Sequence, residues 1–150
     1  MKIFSRRNAL LIAVAFAVAL TIPTGAAAAD PPNPVLLFLG QEVIEVGGKQ
    51  LTRYYFDVVN KEAYPAELFA ASPALLPCGS NTNASRTWVD IYAQNGKRLN
   101  GFCALGKASD LNRLWFALDS DELPPSWVYI EMTDRQTNKK YKSNLAETTN

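Results

Sequence analysis

The stretch Leu76–Pro77–Cys78–Gly79–Ser80–Asn81–Thr82–Asn83–Ala84–Ser85–Arg86 gathers a thiol, hydroxyls, carboxamides and a guanidinium within a few residues. Such a set could be a nucleophilic loop, a metal site or half of a cross-link. Histidine decides much of this, because the chain has none. Cys-His and Ser-His-Asp hydrolases, H-E-x-x-H metalloproteases and imidazole-ligated zinc or copper sites are all excluded. A thiol without an imidazole to activate it is a poor nucleophile. The remaining chemistry for Cys78 is a disulfide to Cys103, the only other cysteine. That bond would close the loop 79–102 and add about 3 kcal/mol by the chain-entropy estimate. The triplet Asn83–Ala84–Ser85 has sequon spacing and is read as a polar turn.

Two other groups could do chemistry. Asp119, Asp121 and Glu122 place three carboxylates in one short segment. Calcium wants six or more oxygens, and the spacing fits no EF-hand loop. A glycosidase pair with Asp57 or Asp90 would need a separation that the sequence does not fix. The expected state is a solvated turn, with a metal-dependent binder or carboxylate enzyme as the alternative. The third group is Trp88, Tyr92 and Phe102 among Asp90, Arg98 and Asn100. Flat rings beside hydrogen-bonding side chains suit a sugar, a peptide or a protein partner. The competing reading places the same rings in a core or beneath the Cys78 loop.

The elements that must position these residues begin after a leader. Lys2, Arg6 and Arg7 precede the uncharged apolar run Ala9–Leu20, and Pro23, Gly25 and Ala26–Ala29 follow. This order describes a secretory signal peptide over 1–29, cleaved after Ala29 or Ala28. The run is shorter than the roughly 20 residues of a bilayer span. Arg6–Arg7 also resembles a twin-arginine signal, though Sec export is the expectation. Removing Lys2, Arg6 and Arg7 leaves 12 basic against 14 acidic side chains, a net charge of −2. No strong field draws nucleic acid or acidic lipid, and no later segment is long enough to insert in a membrane.

The mature part reads as strands. Asp30–Pro34 is an extended lead-in, and Val35–Val46 a strand with a bulge at Gly40. After a Gly47–Gly48 turn, Gln50–Asn60 alternates Tyr54, Phe56 and Val58 against Arg53, Tyr55 and Asp57. Pro65–Ala71 allows one or two helical turns inside the irregular stretch 61–85. Arg86–Leu105 is a hairpin with a three-residue loop, Gln94–Asn95–Gly96, and a left-handed Gly96. In that register Val89, Ile91, Leu99 and Cys103 share one face; Trp88, Tyr92 and Phe102 share the other. A polar link, 106–112, leads to strands at Arg113–Leu118, Trp127–Thr133 and Lys140–Leu145, and the tail 146–150 frays.

About seven short strands with turns between them point to an all-β antiparallel sandwich over 30–145, with one disulfide-tethered loop. The spacing Leu123-x-Pro125-x-x-x-Tyr129 resembles the approach to the penultimate strand of fibronectin type III modules, within the immunoglobulin-like group. The resemblance implies architecture, not activity. The expected protein is an exported, periplasmic or secreted module without catalytic activity or cofactor. It would bind an unknown protein, peptide or carbohydrate, or serve structurally in the cell envelope.

Overall fold

A computed structural model describes residues 30–72, 76 and 85–149. Eight strands are present: β1 (Leu36–Val46), β2 (Lys49–Val58), β3 (Thr87–Ala93), β4 (Arg98–Phe102), β5 (Leu114–Asp119), β6 (Trp127–Asp134), β7 (Lys139–Lys142) and β8 (Ala146–Glu147). They form two antiparallel sheets. One has the order β1-β2-β5; the other has the order β4-β3-β6-β7, with β8 also on β6. The all-β, two-sheet architecture expected from the sequence is thus observed, with a sandwich-like core.

Alternation drives the layering. On β2 Thr52, Tyr54, Phe56 and Val58 are buried, whereas Leu51, Arg53, Tyr55 and Asp57 are only partly so. Tyr54 stacks on Phe116 of β5 at 4.9 Å, and Phe56 lies 5.8 Å from the same ring. Val89 and Ile91 of β3 join Val128, Ile130 and Met132 of β6 to form the opposite wall. Burying each such side chain contributes on the order of 1.5–3 kcal/mol.

The turns follow their glycines. Gly47 and Gly48 both have positive φ, 60° and 79°, as a two-residue primed hairpin turn requires. Gly40, at φ 136°, marks the β1 bulge that shifts register between Phe38 and Gly40. Pro65 caps a 3₁₀ turn over Ala66–Phe69, which buries Leu68 and Phe69. The segment from Ala71 to Ser85 begins and ends in a single bridge between those two residues.

Two expectations need correction. The link 106–112 contains a 3₁₀ helix, Ala108–Arg113, whose Leu111 is fully buried. The tail does not fray at 146: Ala146 and Thr148 are buried, and Thr148 Oγ1 donates to Pro125 O at 2.5 Å. Leu123 and Tyr129 carried the type III resemblance. Leu123 is 89% exposed, and Tyr129 lies on the outer face of β6 rather than in the core.

Candidate functional site

The outer face of the five-stranded sheet is the site the strands assemble. On β3 Trp88, Asp90 and Tyr92 alternate with the buried Thr87, Val89 and Ile91. They pair across to Thr133, Glu131 and Tyr129 of β6. Beyond β6, β7 sets Lys142 opposite Glu131 and Lys140 opposite Thr133. On the other side β4 sets Arg98 opposite Tyr92 and Gly101 opposite Asp90. At the Trp88 end Leu76 also reaches this face, its carbonyl accepting from Arg135 Nη2.

Its charges are internally arranged. Asp90 and Glu131 sit directly opposite one another, an arrangement that is destabilising by itself. Each is offset by a cation from the flanking strand. Arg98 Nε donates to Asp90 Oδ1 at 2.7 Å, and Lys140 Nζ to Glu131 Oε1 at 2.7 Å. Gly101 makes the first contact possible, since any Cβ there would run into the Arg98 guanidinium and Asp90. The Glu131 contact raises the Lys140 pKa. Burial, then the Asp90 and Glu131 charges, raise that of the Tyr92 phenol, which keeps its O–H as a hydrogen-bond donor.

The rings fall in two places. Tyr92 and Tyr129 stack at 5.4 Å, and Lys142 Nζ lies 3.9 Å from the Tyr129 centroid. At the far end, the Arg135 guanidinium lies 3.9 Å from the Trp88 ring, and its Nη2 donates to Leu76 O at 2.7 Å. Trp88 Nε1 and Arg135 Nη1 are buried donors without an acceptor. A cation–π contact of this kind contributes about 0.5–1 kcal/mol at an exposed site. With cations on the rings of Trp88 and Tyr129, neither ring is open to a sugar on that side.

Of the residues expected together, Trp88, Tyr92, Asp90 and Arg98 do share this face. Phe102 does not. The three-residue loop is as expected, with Gly96 at φ 87° and Ala93 N donating to Lys97 O at 2.9 Å. A second irregularity then shifts register, so Tyr92 pairs with Arg98 but Ile91 pairs with Asn100. The shift turns Phe102 inward opposite Val89, where it meets Trp115 edge-on at 6.2 Å. Asn100 turns with it and donates Nδ2 to Trp115 O at 2.7 Å, joining β4 to β5 across the sheets. The sequence reading missed Tyr129, Glu131, Arg135, Lys140 and Lys142. The alternation of Tyr129, Glu131 and Thr133 was the signal that could have placed the β6 pair.

The other candidates do not assemble a reaction centre. Glu122 Oε1 lies 3.9 Å from Lys97 Nζ, and Glu122 N donates to Asp119 O in a turn. Among the described residues no three of His, Cys, Asp or Glu converge as metal ligands. Asp57 is held by Lys61 at 2.9 Å, and Asp90 by Arg98. Cys103 follows β4, and its carbonyl accepts Ser85 N–H at 2.9 Å. Cys78 lies outside the described residues, as does the leader 1–29. No helix among the described residues is long and apolar enough to cross a membrane.

Comparison with known protein families, curated proteins and solved structures gives no match to this chain.

Proposed function

We propose that this chain is an exported, non-enzymatic binding module whose outer five-stranded face receives a protein partner. Residues 1–29 direct export and are cleaved, and the mature domain works in the periplasm or outside the cell. The observation that carries the reading is that Trp88, Tyr92 and Tyr129 stand on the outer face rather than in the core. Tyr, Trp and Arg are the side chains enriched where proteins meet, and Arg98 and Arg135 flank these rings. The cation-covered rings leave little for a pyranose to stack on, whereas the Tyr92–Tyr129 stack with Arg98 beside it suits a protein surface. The test is a paired substitution, Tyr92→Ser with Tyr129→Ser, in the exported protein. The complex recovered after chemical cross-linking in the producing cell should disappear while the melting curve stays cooperative. A complex that survives the pair overturns the reading.

A Cys78–Cys103 disulfide belongs to the same proposal. Export supports it, because oxidising compartments sustain such bonds. The Ser85–Cys103 backbone contact supports it too, since it brings Cys103 beside the returning end of the Cys78 loop. Among the described residues there is no free cysteine. Peptide mapping without reductant should recover Cys78 and Cys103 in one linked species. Two free thiols would contradict the bond.

A further inference from the structure

Three of the four sheet edges are closed by their own residues, and one is not. The β7 edge carries Lys139, Lys140 and Lys142, the kind of charged edge that resists pairing. The β4 edge is bulged, and Asn100 ties β4 to the β5 edge through Trp115. Among the described residues the outer backbone of β1 is hydrogen-bonded at Leu36, and the end of the chain passes beside Phe38 and Gln41. At Leu36 the Asn144 side chain imitates a neighbouring strand: its Oδ1 accepts Leu36 N–H at 2.8 Å, and its Nδ2 donates to Leu36 O at 3.1 Å. From Phe38 to Val46 no described strand pairs with this edge.

The direction of the free backbone groups follows from the ladder. Val59 N donates to Val35 O, so Val35 bonds to β2 and Leu36 points away. At the other end Gln50 O accepts from Ser120 on the β5 side, so its partner Glu45 also faces the open edge. By alternation, the backbone groups of Gln41, Val43 and Glu45 are outward. Clefts of about 320 and 260 Å³ open between this edge and the end of the chain, with Phe38 lining both. Half of the exposed large apolar side chains among the described residues lie in one stretch: Val35, Leu37, Leu39, Val43 and Val46. The stretch 35–46 has two carboxylates and no Lys or Arg; Glu42 is taken by Arg53 and Tyr55 of β2, which leaves Glu45, with Glu147 beside the cleft, as the charges facing an incoming strand.

We infer that β1 is a docking edge for an extended, basic segment of another protein, which adds as a strand beside Phe38–Val46. Main-chain hydrogen bonds give such pairing its affinity, and alternate side chains give its specificity. Charge selects the occupant. A second copy would bring a strand with carboxylates and no Lys or Arg, whereas lysines or arginines would complement Glu45 and Glu147. The edge is separate from the aromatic face and does not depend on it.

The probe is a fluorescein-labelled ten-residue peptide alternating Lys and Val, read by anisotropy at two salt concentrations. Binding should weaken at least about tenfold when Val43→Pro removes an outward N–H, a position an edge strand tolerates. Val43→Lys should do the same, so the result stands if the proline variant unfolds. N-methylation of alternate peptide nitrogens should abolish binding, and Tyr92→Ser should leave it unchanged. Amide exchange at Gln41, Val43 and Glu45 should slow when the peptide is bound. Equal binding by a Glu/Val peptide, or full binding to a folded Val43→Lys protein, overturns the inference. So does a dimer in sedimentation that Val43→Lys dissolves, since the occupant would then be a second copy.

Discussion

Asp134 shows how much one side chain organises here. It is buried, with its side chain 4% exposed, and takes Arg86 Nε and Nη2 at 2.6 and 2.5 Å. Gln136 N–H and the Thr137 hydroxyl add donors at 3.0 and 2.7 Å. Arg86 above all, with Thr137 and Gln136, outweighs burial and lowers the carboxyl pKa from 3.8 to about 2. A carboxyl whose pKa falls on folding adds stability that is complete above 3.8 and lost as pH drops toward 2. Denaturant titrations should therefore show about 2 kcal/mol of acid-sensitive stability assignable to this group. Asp134→Asn should lose a similar amount at pH 7 and flatten the dependence between pH 5 and 2. An unchanged acid limb in that variant would show that the pair does not matter to folding.

The hairpin β3–β4 shows what was legible at the scale of elements. Its loop could be read because Asn95–Gly96 offers few ways to turn, and the faces of β2 could be read because polar and apolar residues alternate without a break. Phe102 was misplaced because the extra residue at Leu99 has no local signature; only packing against Trp115 makes the shift favourable. Leu111 escaped because Asp110 and Asn112 beside it read as a surface link. β8 escaped because two residues carry no period. The corrected register separates Phe102 from Tyr92 in energy. Phe102→Ala should cost about 2 kcal/mol, since a partly buried ring leaves a void against Val89 and Trp115. Tyr92→Ala should cost about 1 kcal/mol or less, the worth of a surface stack. Equal losses in urea unfolding would return Tyr92 to the core.

Across the whole molecule, the two sheets present different outer surfaces. The three-stranded sheet carries Arg53 over Trp115 at 4.7 Å, with Tyr55 hydrogen-bonded to Glu42 and Arg53 Nε buried without an acceptor. The five-stranded sheet carries the Tyr92–Tyr129 stack among Arg98, Lys140 and Lys142. Fold class was readable from strand spacing, because the alternation and the turn residues are written in the order of the chain. A binding surface is not, because it depends on which face each strand turns outward. The reading of that face as a partner site is tested most directly by photo-cross-linking in the producing cell. A benzophenone side chain would be placed at Tyr92 and, in a second protein, at the exposed Asn112. A discrete protein adduct from position 92 and none from position 112 is the predicted result. No adduct from position 92, in a protein that is exported and folded, would contradict the account.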